Sequence, residues 1–284
     1  MPPVPTPVDP IESREVLDAI EHVEAHLLDL LETLTADEWD RSTIVAGWHV
    51  RHVAAHLLDT ALRRLSLVRD GHAVDRPASG APADVRAFLD RVNAQGVTVY
   101  GRLSRSVVTA LMRTASRDYC AHLRALDPEA PAMLAVSWAG EEVSRNGFDL
   151  ARELTERWHH QQQIRLAVGR PGIETRALYH PVLDTFMRVL PHTYRDVAAP
   201  SGTNLDVRVT GPAGDLWQLY RGDEGWQLAR GLAAPAVATV TIPGEVAWRL
   251  FTKALTRAEA EQVVTVDGDR ALGGHVLRAV AIVG

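Results

Sequence analysis

The chain has a single cysteine, Cys120, among 284 residues, so no internal disulfide can form. The opening stretch MPPVPTPVDPIESRE lacks the apolar core of a secretory signal, and with one thiol the expected setting is reducing and cytoplasmic. No apolar run approaches the roughly 20 residues that a membrane-spanning helix requires, so no membrane is expected as a partner. The 30 basic residues form no run of five, and 36 acidic residues outnumber them to give a net charge of −6, which argues against nucleic acid as a partner. There is no internal repeat, and no low-complexity tract beyond the proline-rich leader. What remains is ordinary for a folded protein, with 46% hydrophobic and 23% charged residues, in a chain long enough for two packed units. Cys120 lies in ASRDYCAHLRAL, a helical pattern where a small structural thiol is expected, although a nucleophilic role is chemically open.

Apolar spacing of three and four predicts a helix over 11–34, through Val16, Ile20, Val23, Leu27, Leu28 and Leu31. The segment from Trp39 through RSTIVAGW reads as a connection, and a second helix follows over 49–69. Beyond the linker DGHAVDRPASGAPAD, helices are expected over 85–100, 105–126 and 149–168, the last stopped by Gly169 and Pro171. Four of these long helices are enough for an antiparallel bundle, a fold that builds metal sites from facing helices. A further helix over 176–197 leads to alternating Leu205, Val207 and Val209, a half-buried strand. Gly211 to Gly214 reads as a turn, and DLWQLYR, GWQLA, AVATVTI and VVTVD as strands, with helices over 245–255 and 270–281. The expected fold is therefore a mainly α N-terminal four-helix bundle over 10–172, a connecting helix over 173–199, and a smaller α+β domain over 200–284.

Among 12 histidines, His49, His52 and His56 share one helix, and His159 and His160 another. Residues four apart lie on one helical face, so Glu156 and His160 can address one ion, with His56 as a third ligand from the facing helix. A carboxylate and two neutral imidazoles suit zinc and related divalent ions, and three protein ligands leave positions open for water or substrate. His56 flanks its apolar stripe beside Val53, and Glu156 and His160 flank the Leu150, Leu154 and Trp158 face, which suits a cleft. Such Glu and His pairs also occur on solvated faces, as weak surface interactions. The pairs His52 with His56, four apart, and Glu156 with His159, three apart, are also geometrically allowed.

The stretches GWHVRHVAAHL, LDRVNAQGV with GRLSRSVVTALMRTASRDYCAHLRALDP, and ELTERWHHQQQIRLAVGRPG resemble the DinB-like family of the mycothiol-dependent maleylpyruvate isomerase type. Their order and separation agree over about residues 10 to 172. The resemblance implies His56, Glu156 and His160 as metal ligands and makes His52 and His159 neighbours, with His52 a candidate for holding a ligand in place. From AVATVTIPGEVAWRLF onward the chain resembles the sterol-carrier-like domain that follows the bundle in this family. There the resemblance implies a basic residue facing the metal, with Arg221 and Arg249 as candidates.

The implied chemistry belongs to mycothiol, the low-molecular-weight thiol of actinobacteria, activated by a divalent metal for attack on a small electrophile. The metal is expected to be zinc, with nickel, iron or manganese compatible with the same donors. In an isomerase the thiol adds to a double bond, rotation follows and the thiol leaves; in an S-transferase the adduct is the product. Two other classes fit the same residues: a non-catalytic small-molecule binding or carrier protein, and a metal-dependent hydrolase. No residue set fixes the electrophile, and a monomer or small homo-oligomer is expected.

Overall fold

The computed structural model describes residues 6–232 and 234–282. Two compact units emerge, one of Ser13–Ala135 with Val143–Ile173, the other of Val136–Glu142 and Glu174–Ile282 with the N-terminal segment. The first is helical and the second holds the sheet, so the expected helical part followed by a smaller α+β part is what the chain forms.

The helical unit comprises α1 (Ser13–Thr33), α2 (Ala36–Trp39), α3 (Val50–Arg64), α4 (Pro82–Tyr100), α5 (Arg105–Arg124) and α6 (Asn146–Val168). α3 continues through a π-helical turn, Leu65–Arg69, so the expected second helix spans its full length with a change of winding in its last turns. α1 and α3 each pack on both α5 and α6, closing a four-helix bundle. Its core is the set of predicted stripes: Val16, Ile20, Val23 and Leu27 on α1, Val53, Ala54, Leu57 and Leu58 on α3, and Leu150, Leu154 and Trp158 on α6 are almost wholly buried. Each such Leu or Val contributes about 1.5–3 kcal/mol by leaving water. The remaining long helix, α4, packs chiefly on α3 and keeps most of its surface in solvent. Gly96 permits that approach, since a Cβ there would lie 2.2 Å from the Asp59 carboxyl carbon. Gly169 adopts φ +68 and ends α6 where the sequence places its stop.

α6 is buried on nearly every side, and much of what it buries is charged. Arg157, 1% exposed, donates to Glu24 of α1 and, over 2.5 Å, to the Leu57 carbonyl of α3, with its guanidinium over the Tyr119 ring of α5. Ser116 donates to Glu24, and Tyr119 to Glu153. Arg64 of α3 reaches Asp149 at 2.7 Å and Glu153 at 3.1 Å, and Arg152 donates to both carboxylates. Buried charges survive only when paired and hydrogen-bonded, and this set is matched cation for anion between Arg64, Arg152, Arg157 and Glu24, Asp149, Glu153.

In the second unit β1 (Thr6–Pro7), α7 (Arg176–Met187), α8 (Leu190–Tyr194), β2 (Asn204–Val209), β3 (Leu216–Arg221), β4 (Trp226–Arg230), β5 (Ala238–Ile242), α9 (Gly244–Phe251), α10 (Arg257–Val263), β6 (Thr265–Gly268) and α11 (Arg270–Gly273) follow in turn. The sheet order is β1-β4-β3-β2-β5-β6, antiparallel except for the β2–β5 pair. Leu205, Val207 and Val209 are buried as their alternation predicts, and Gly214 N–H bonds Gly211 across the expected turn. Besides β1, which forms within the proline-rich leader, three elements differ from expectation. The helix expected over 176–197 is two helices, since Pro191 has no N–H to continue the ladder. The helix expected over 270–281 is one turn followed by a 3-10 turn, Gly274–Arg278. α10 was not expected, although Thr256 and Glu259 form a capping box at its start; the same device, Thr35 with Glu38, starts α2.

Candidate metal centre

The buried stripes of α3 and α6 place His56 on the flank of one helix, and Glu156 and His160 one turn apart on the flank of the other. His56 Nε2 lies 3.1 Å from Glu156 Oε1, and His160 Nε2 lies 3.1 Å from the same oxygen. The three donor atoms fall within 4.8 Å of one another, and the two imidazole centroids are 4.6 Å apart. The side chains of His56 and His160 are 4% and 11% exposed, and that of Glu156 is 27% exposed, so the group is closed around the rings and open at the carboxylate.

Trp48 walls the rings. Its indole centroid lies 5.3 Å from His56 and 6.4 Å from His160, nearly parallel to the latter. A tight loop presents it: Thr43 N–H and Oγ1 both donate to the Trp48 carbonyl, and Trp48 N–H bonds Val45.

Electrostatics separate the members of the group. Burial pushes His56 down to about 4, so its ring is neutral near pH 7 and has a lone pair available for a metal. Burial pushes the Glu156 carboxyl upward, but the neighbouring His160 and His56 imidazoles outweigh it and hold the group well below its ordinary value. Whether these residues fit a cation turns on a neighbour. His160 Nδ1 lies 2.8 Å from Gln163 Oε1, and an amide oxygen only accepts. The hydrogen of a neutral His160 ring is therefore on Nδ1, and its Nε2 lone pair faces an anionic oxygen 3.1 Å away. Two acceptors so close repel unless positive charge stands between them. A divalent cation fits that requirement and this donor set.

The other candidates are placed elsewhere. His52 accepts at Nδ1 from the His49 N–H, 3.1 Å, and so closes the start of α3 rather than joining the group. His159 donates Nδ1 to its own helix at Thr155, 2.8 Å, and burial pushes it down to about 3. Arg221 ends β3, where Nη1 donates to the Gly222 carbonyl at 2.7 Å, and Arg249 is half-buried on α9. Both belong to the sheet-bearing unit. Sequence reasoning missed Trp48 and Gln163. Gln163 was findable, as a carboxamide three residues beyond His160 on the same face; Trp48 carried no spacing signal, since a loop sets its position.

The family model described as the mycothiol maleylpyruvate isomerase N-terminal domain matches residues 20–165, more than half of the chain and all three residues of the group. The chain belongs to this family. Two solved structures extend the likeness of fold beyond the family domain. A crystal structure of the mycothiol-dependent maleylpyruvate isomerase aligns with TM-score 0.56 and 14% identity over 90% of this chain and 93% of that one. A histidine-to-alanine variant of the isomerase aligns over the same shares with TM-score 0.55 and 14% identity. No curated protein sequence matches the chain. Among the described residues no helix is long and apolar enough to cross a membrane.

Proposed function

We propose that the chain is a mycothiol-dependent isomerase of a small electrophilic substrate, working with a divalent metal held by His56, Glu156 and His160. Zinc is the default occupant by donor type. The observation that carries the proposal is the convergence of two imidazole nitrogens and one carboxylate oxygen within 4.8 Å inside a family domain named for mycothiol maleylpyruvate isomerase. When bound, the ion supplies positive charge that favours a thiolate over a thiol near neutral pH.

The chain's own residues define the rest. His56 enters as a neutral donor because burial keeps it uncharged. Trp48 shields the ring side of the group from water, and the exposed edge of Glu156 marks the side from which ligands enter. Cys120 does not supply the nucleophile, since burial and the nearby Glu24 charge push its thiol up to about 12. The reactive sulfur is thus external, as a thiol cosubstrate requires. Arg221 and Arg249 are the proposed basic residues for orienting an anionic substrate, and the thiol returns unchanged after addition, rotation and elimination.

The test is turnover of a cis-configured electrophilic alkene by the metal-loaded protein, with and without mycothiol. Turnover that needs the thiol without consuming it is the expected result. Stoichiometric thiol loss instead makes the chain an S-transferase. Turnover without thiol, as in a hydrolase, or no turnover at all, as in a carrier, contradicts the proposal.

A further inference from the structure

The run HHQQQ on α6 buries three consecutive carboxamides, Gln161, Gln162 and Gln163, to 4% exposure or less. Burying an amide without a partner costs about 1–3 kcal/mol, so each hydrogen bond they make is informative. Gln161 has structural partners, donating to the Val23 carbonyl at 2.8 Å and accepting from Arg165 at 3.0 Å. Gln163 instead has its oxygen on His160 Nδ1, at 2.8 Å. His56 has no equivalent, since its buried Nδ1 lacks a hydrogen-bond partner among the described residues.

We infer that Gln163 is a positioning residue that fixes His160 as its Nδ1–H tautomer, turns the Nε2 lone pair toward Glu156 and His56, and so sets the affinity of the site for a divalent cation. The inference rests on the metal reading above and adds to it that the two imidazoles are unequal: His160 is the anchored ligand and His56 the adaptable one. The chemistry is that of an outer hydrogen bond raising the basicity of a metal-binding imidazole and holding its plane. A carboxamide is suited to this and also reversible. Turned over, it would offer N–H to a lone pair on Nδ1, placing the ring hydrogen on Nε2, where it would donate to Glu156 and block the ion. The oxygen-inward orientation observed is the one that admits a cation.

The test uses the full chain and Co2+ as the probe, with Gln163→Met, which keeps the volume but loses the strong acceptor, and Gln163→Glu, which only accepts. Binding is followed through the visible absorption of Co2+, and the His160 tautomer through long-range 1H–15N correlation in the metal-free protein. Gln163→Met is expected to weaken Co2+ binding about 10–100-fold and to move the ring hydrogen to Nε2, whereas Gln163→Glu keeps the wild-type tautomer and rescues binding. A merely space-filling glutamine would leave affinity and tautomer unchanged in Gln163→Met, and that result overturns the inference. If the methionine variant does not fold, the glutamate variant decides: a His160 ring in that protein with Nε2–H and no Nδ1–H overturns it. Wild-type protein that binds no Co2+ sinks the metal reading, while the tautomer measurement still reports separately on Gln163.

Discussion

At neutral pH the His56 ring is uncharged because burial outweighs the attraction of the Glu156 carboxylate, and His159 is uncharged for the same leading reason. Both consequences are measurable. Between their lowered folded values, about 4 and about 3, and the ordinary value of 6.5, the unfolded chain binds more protons than the folded one. This contribution to stability is thus present above 6.5 and lost as pH falls toward 4. Urea midpoints of the metal-free protein measured from pH 7.5 to 4.5 are expected to fall steadily, and His159→Gln to flatten that slope. An unchanged slope in the variant contradicts the burial argument. The convergence of these three side chains was legible because Glu156 and His160 are local in sequence and the resemblance supplied His56. Gln163 and Trp48 were not, because hydrogen-bond direction and loop closure leave no periodic trace.

α6 carries the site and also a buried ion network, and the two demands explain its composition. Leu150, Leu154 and Trp158 fill the core, whereas Arg157 ties α6 to α1 and α3 through Glu24 and the Leu57 carbonyl. Removing one partner of such a pair leaves an uncompensated charge in the interior. Arg157→Met is expected to destabilise the protein by about 3–5 kcal/mol in urea unfolding, and the double variant Arg157→Met with Glu24→Leu to recover much of that loss. Equal losses in the single and double variants would mean the network stabilises by its packing alone. Helix and strand order was readable from spacing of three and four and from alternation. The network was not, because a charged residue beside an apolar stripe looks the same whether it faces solvent or a partner helix. The break at Pro191 and the capping box of α10 are local signals a few residues long, weaker than the periodic patterns around them.

The proposed roles fall in two units of the chain. All three proposed ligands come from α3 and α6 of the helical unit, and both candidate arginines come from the unit with the sheet. Substituting Arg221 or Arg249 with Ala is therefore expected to leave metal binding intact, and the role proposed for these arginines predicts a fall in kcat of about 100–1000-fold in one of the two variants, a typical loss for a positioned charge-stabilising donor. The ligand side of that division supports the central claim, that His56, Glu156 and His160 hold a divalent ion. The most direct measurement is the metal content per chain of purified protein and of Glu156→Ala, alongside their thermal unfolding. The account predicts one divalent ion per wild-type chain and none in Glu156→Ala, with the variant still folded because apolar stripes carry the core. Equal metal content in the two proteins, or none in either after metal supplementation, would contradict it.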